Sequence, residues 1–248
     1  MENNKNKVAI VTGAAKNIGR ATCIELAKLN FNILIHANTD SEGANQTLSQ
    51  VNELGAEADV IIGDLTEETF ANELVNKSLN LGNLSVLVNN ASQRNFIKFE
   101  DMTFDDWRHV MKINLDAVFL TCKYAIPKMK ECDWGRIINL GGLSAHIGAI
   151  GRAHVVTSKS AMIGFTRALA TEYAGTGITA NCVVPGLIDT VRGASAGAGL
   201  VHPTHSDPPI GRKGYPIEVA KMISNLCNEN SDFVTGQTIH VNGGSYFS

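Results

Sequence analysis

Three stretches of this 248-residue chain carry residue types that could do chemistry. The first is Thr12-Gly13-Ala14-Ala15-Lys16-Asn17-Ile18-Gly19, behind the β-branched run Val8-Ala9-Ile10-Val11 and ahead of a helical pattern. Glycines there let the backbone approach a pyrophosphate, and the free N–H groups and positive dipole end of a helix favour an anion. A glycine-rich turn alone says little, but a strand before it and a helix after it point to a dinucleotide. The second stretch holds Ser144 and His146 after Gly141-Gly142, with Arg152 and His154 a few residues on. A histidine near its ordinary pKa supplies a proton at neutral pH. Ser144 either lines a pocket or caps a turn, and His154 either donates a proton or sits hydrogen-bonded at a helix start. The third is His202-Pro203-Thr204-His205. With His146 and His154 it makes a four-imidazole pattern, but no acid or thiol joins it, so substrate or solvent contact is expected and no metal.

These residues need a frame. Short apolar strands at Val8–Val11, Ile33–Ile35, Val60–Ile62, Val86–Val88, Arg136–Leu140, Ile178–Val184 and Thr238–Val241 alternate with helical patterns. The helices are expected at Ile18–Leu29, Ser41–Leu54, Glu67–Leu79, Phe104–Lys130, Ala153–Glu172 and Glu218–Leu226. Strands apolar on both faces, alternating with helices, predict an α/β fold. It is one doubly wound parallel sheet of Rossmann type in three layers, spanning 1–248 as a single domain. Asp189 to Arg212, rich in Gly, Ala, His and Pro, is too long for a plain connection and reads as a substrate loop or lid.

The composition agrees and excludes several classes. The chain is 44% hydrophobic and 18% charged with a formal charge of −3, which argues against nucleic acid or an anionic membrane as partner. No apolar run approaches the roughly 20 residues that span a bilayer, and the polar start lacks a signal core. Five scattered cysteines without a CxxC pair read as reduced, mostly buried thiols. A cytoplasmic protein is expected.

The turn also resembles the TGxxxGxG segment of the short-chain dehydrogenase/reductase family, with Asn17 where the family has its middle glycine. Asn is the non-glycine residue most tolerant of positive φ, so the turn survives the exchange. The resemblance runs along nearly the whole chain. It implies that Asp64 and Leu65 flank an adenine ring and that Asn90 and Ala91, in Asn89-Asn90-Ala91-Ser92, border the cofactor. It likewise implies an active-site role for Asn114 and a ribose-holding one for Lys159. Pro185, Gly186, Ile188 and Thr190 match a further cofactor segment, and Thr235-Gly236-Gln237 and Val241-Asn242-Gly243-Gly244 a C-terminal strand and turn. A homotetramer or homodimer, paired through the helices around 104–130 and 153–172, follows from the same resemblance.

An acid at the end of the second strand would hold a ribose 2′-hydroxyl and repel a 2′-phosphate. Ala37 stands there, and Lys16, Asn38 and Thr39 offer donors to the extra phosphate, so NADP(H) is favoured over NAD(H). The family's proton-transferring tyrosine lies four residues before its lysine and its serine thirteen before that. Counting from Lys159 gives Val155 and Gly142, and no tyrosine falls between residues 136 and 159. His154, His146 and Ser144 are the candidate replacements. The resemblance, to 3-oxoacyl-carrier-protein reductases and related carbonyl reductases, implies hydride transfer between a nicotinamide and a small carbonyl or alcohol substrate. An isomerase, dehydratase or lyase on the same frame, or a non-catalytic NADP(H) sensor, is the alternative.

Overall fold

In the computed structural model, residue 4 and residues 6–191 and 208–247 are described. The elements run β1 (Lys7–Val11), α1 (Asn17–Ala27), β2 (Asn32–Ala37), α2 (Ser41–Asn52), β3 (Ala58–Ile62), α3 (Glu68–Ser78), β4 (Asn83–Asn89) and α4 (Phe104–Met111). They continue through α5 (Ala117–Lys130), β5 (Gly135–Leu140), α6 (Ser144–Ile147), α7 (Ala153–Glu172), β6 (Ile178–Pro185), α8 (Pro216–Leu226) and β7 (Thr238–Val241). All strands are parallel in one seven-stranded sheet ordered β3-β2-β1-β4-β5-β6-β7.

Alternation along the strands splits the core in two, because successive side chains point to opposite faces. On β1, Val8 and Ile10 join Leu74, Met129 and Met162 on the face covered by α3, α5 and α7. Ala9 and Val11 join Leu26, Val51 and Ile223 under α1, α2 and α8. The chain reverses its winding between β1 and β4, and a crevice opens above the carboxyl ends of these two strands.

Local chemistry sets the helix ends that matter here. Thr103 and Asp106 form a reciprocal capping box at the start of α4. The stretch expected as one helix over 104–130 is two, joined by a π turn at Lys112–Asp116 that carries the buried Asn114. Four of the five cysteines are buried and Cys132 is exposed, all with free thiols. No helix among the described residues is long and apolar enough to cross a membrane. His202 and His205, and most of the expected loop at 189–212, lie outside the described residues.

Candidate active site

The turn after β1 is held from several sides. Gly13 has φ 63°, and a Cβ there would fall 2.9 Å from the Ala91 Cα. Gly19 packs so closely that a Cβ would lie 2.4 Å from the Gly13 carbonyl. The Thr12 hydroxyl accepts from the N–H groups of Asn90 (2.9 Å) and Ala91 (3.0 Å). The Asn90 amide donates to the carbonyls of Thr12 and Gly13, both at 2.9 Å.

His36, buried in β2, completes this clamp. Its Nδ1 accepts the Gly13 N–H at 3.3 Å and its Nε2 lies 2.9 Å from the Gly63 carbonyl, which assigns the neutral Nε2–H tautomer. Burial holds its pKa below the ordinary value, in keeping with that neutral state. Sequence reasoning passes over His36; the signal was a polar residue in an otherwise apolar strand.

Asn17 takes the left-handed conformation, φ 53°. Its side chain exchanges two hydrogen bonds with the backbone of Val191: Nδ2 donates to the carbonyl (2.8 Å) and Oδ1 accepts from the N–H (3.0 Å). The exchange for glycine therefore ties the turn to the segment after β6.

A cleft of about 560 Å³ runs from this turn along the crevice. Gly13, Lys16, Asn17, Ile18 and Gly19 line it from the turn, and Asn38 and Thr39 from the end of β2. Asp64, Leu65, Asn90 and Ala91 border it from the ends of β3 and β4, and Thr190 at its far side. α1 opens with no side-chain cap and no acid in its first turn, so its first N–H groups are left for an anion. The volume lies within the usual range for small-molecule sites, and these donors fit a dinucleotide. Ala37 is buried and supplies no carboxylate. The Lys16 ammonium, expected as a phosphate ligand, lies 3.9 Å from Asp40, whose carboxylate caps α2 by accepting the Gly43 N–H at 2.9 Å.

A smaller cavity of about 120 Å³ adjoins the cleft. Gly142, Ser144, Val155 and Lys159 face Pro185, Gly186 and Ile188 across it, with Arg94 at its side. Lys159 is buried and donates to the Leu140 carbonyl at 2.6 Å. Burial, with the neighbouring Arg94 charge as a lesser cause, pushes its pKa down to about 8. A Cβ on Gly142 would have ordinary room, 3.5 Å from the Lys159 Cγ and 3.8 Å from the Ser144 Oγ. The Ser144 hydroxyl thus approaches the place where the missing side chain would stand.

Two expected proton donors do not line this cavity. α7 begins at Ala153, and adjacent helix positions diverge by about 100°, so Val155 borders the cavity while His154 turns away. His154 is fully buried, near Asp106 of α4 and the Arg152 backbone, and burial holds its pKa below the ordinary value. His146, two positions past Ser144 on α6, packs its ring 4.5 Å from His240 and 4.9 Å from Tyr246. Asn114, given an active-site role by the resemblance, is engaged through its side chain. Its amide donates to the Gln93 carbonyl (3.0 Å) and to the Ser158 hydroxyl (3.0 Å), and its carbonyl accepts the Gln93 N–H (2.7 Å). It holds the segment after β4 in place and does not line the cavity. Among the described residues no three His, Cys, Asp or Glu side chains gather as a metal-holding group.

Arg94 is a second residue that the sequence reading missed. It borders both the cleft and the cavity, and its signal was a base four residues beyond Asn90, where the chain leaves a strand end at the crevice.

Comparison with known proteins places this geometry. Residues 13–246 match the model of a family described as Enoyl-(Acyl carrier protein) reductase. The chain is 34% identical over 244 residues to the "3-oxoacyl-[acyl-carrier-protein] reductase FabG" of Aquifex aeolicus, covering 98% of each. It is 34% identical over 245 residues to the protein of the same name from Pseudomonas aeruginosa, covering 98% of this chain and 99% of the relative. Among solved structures it is similar to acetoin dehydrogenase YohF from Salmonella typhimurium. The TM-score is 0.87 and the identity 32%, over 96% of this chain and 95% of that one.

Proposed function

The chain belongs to the short-chain dehydrogenase/reductase family, and from that premise we propose that it is an NADP(H)-dependent carbonyl reductase with Lys159 as its proton donor. The observation that carries the reading is the small cavity. Val155 and Gly142 stand there without a transferable proton, while Lys159 and Ser144 border it.

A nicotinamide bound along the cleft would supply or accept the hydride, chemistry that belongs to the cofactor. The Gly13–Gly19 turn and the start of α1 hold its pyrophosphate, and Asp64 and Leu65 flank the adenine. Lys16, Asn38 and Thr39 take the 2′-phosphate, which no acid at Ala37 repels. An ammonium carries three protons, so with one on the Leu140 carbonyl two remain at Lys159 for a ribose and for the substrate oxygen. In reduction one of them passes to that oxygen as the carbon gains hydride, and solvent restores the amine to ammonium. A pKa of about 8 suits this transfer near neutral pH. The Ser144 hydroxyl orients the oxygen. Assembly as a dimer or tetramer belongs to the same reading, through a groove of about 520 Å³ between α5 and α7.

The test is titration with NADPH and NADH, followed by NADPH oxidation with small ketones and 3-oxoacyl thioesters from pH 6 to 10. NADPH binds more tightly than NADH. Reduction needs protonated Lys159, so kcat/KM is level below about 8 and falls above it, by about tenfold per unit. Tight binding without turnover would favour a sensor or another reaction type, and no binding would overturn the reading.

A further inference from the structure

His36 stands where two parts of the cleft meet, and both of its ring nitrogens are engaged there. Toward the glycine-rich turn, Nδ1 accepts the Gly13 N–H at 3.3 Å, and the His36 carbonyl accepts the next N–H, that of Ala14, at 2.8 Å. Toward the end of β3, Nε2 lies 2.9 Å from the Gly63 carbonyl, directly before Asp64 and Leu65. The Gly63 N–H is in turn held by the Ala37 carbonyl at 3.1 Å. One side chain thus ties the segment given to the pyrophosphate to the segment given to the adenine. With the residue 2% exposed, solvent is poorly placed to take over either bond.

The neutral ring with its proton on Nε2 donates to Gly63 and accepts from Gly13. A second proton turns Nδ1 into a donor that faces another donor, and the Gly13 N–H loses its partner. Gly13 is wedged against Ala91 at φ 63°, so the conflict falls on the turn as a whole. The charged groups around the ring are Asp64 beyond β3, Lys16 in the turn, Arg20 on α1 and Asp40 before α2. α3 presents the uncharged Phe70, its ring centroid 5.8 Å away. Burial is the largest influence and holds the ring's pKa below 6.5, while the Gly63 bond and the Asp64 charge pull the other way.

We propose that His36 is a proton-sensitive positioning residue for the cofactor: its neutral form holds the cleft in binding shape, and a proton on Nδ1 releases the dinucleotide. This rests on the reading of the cleft as a dinucleotide site and adds a regulation to it. Protonation and binding then compete. Affinity is level above the His36 pKa and falls as pH drops through it, toward about tenfold per unit. By the same linkage a bound cofactor keeps the proton off. The cofactor's phosphates would act the other way, attracting a charged imidazole, so the sign of the pH dependence decides between the bond and the field.

The experiment is calorimetric titration of the full chain with NADP+ from about pH 8 to 5, for wild type, His36→Asn and His36→Leu. The Asn amide oxygen accepts the Gly13 N–H but does not titrate, and Leu does neither. The ratio of wild-type to Asn affinity cancels the titration of the 2′-phosphate itself. That ratio falls below about pH 6.5, while the Leu variant binds weakly at every pH. A second readout follows the histidine rings by 15N NMR, with the His36 signal identified by its loss in either variant. Saturation with NADP+ keeps His36 in its neutral Nε2–H form to a lower pH than in the free protein. A ratio that is flat or rises toward acid, or a ring that titrates alike with and without NADP+, would overturn the proposal and leave the dinucleotide site standing. Failure to bind NADP+ or NAD+ at any pH would overturn both.

Discussion

Val155 is 2% exposed, yet it borders the small cavity from the first turn of α7. A larger side chain there grows into the cavity, and Gly142 has room for a Cβ. The double variant Gly142→Ser/Val155→Tyr therefore installs a phenol and a hydroxyl beside Lys159. A positioned general acid is worth about 10²–10⁴-fold; with Lys159 as the proposed donor already in place, the expected gain is smaller, about tenfold in kcat/KM for neutral ketones. Initial rates of NADPH oxidation with a neutral ketone check the gain. Counting back from Lys159 was enough to locate the two vacancies in the sequence. Which neighbours would turn toward them was not, because that depends on where α7 and α6 begin. One residue of phase buries His154 and leaves Val155 on the cavity.

At the scale of elements, the strands were legible because their apolar runs are short and sharply bounded, and the sheet buries both faces of the central ones. The π turn at 112–116 was not, because one extra residue per turn barely disturbs an apolar pattern. Nor was the pairing of Asn17 with Val191, which joins residues 174 positions apart. That pairing gives the α1 turn a hold on the segment that leaves β6 and borders the cleft at Thr190. Asn17→Gly keeps the left-handed backbone but deletes both hydrogen bonds, each worth about 0.5–1.5 kcal/mol net and less at an exposed site. NADPH should leave the variant a few-fold faster, measured by stopped-flow fluorescence, with little change in melting temperature. Unchanged release would mean that the tie does not bear on the cofactor.

On the scale of the whole molecule, the parallel sheet places every proposed binding segment at one end, the carboxyl ends of β1 to β6. The α5 and α7 flank is left with another task. It carries an apolar groove lined by Phe119, Ile126, Phe165, Leu169 and Tyr173, with Lys123, Lys130 and Glu172 among its borders. Phe119 stands 51% exposed in it. An apolar surface with charges at its border is what an isologous contact between two copies buries, each copy presenting the same patch to the other. Both helices also shape the site: α7 carries Lys159, and α5 continues the π turn whose Asn114 fixes the segment bearing Arg94. Phe119→Glu sets a carboxylate against its own copy across such a contact. The wild type should run as a dimer or tetramer in light scattering, and the variant as a smaller species with unchanged circular dichroism. The variant should also lose part of its activity, because an unpaired α5–α7 flank no longer braces those two positions. A wild type that is monomeric at micromolar concentration would remove the second copy from the groove.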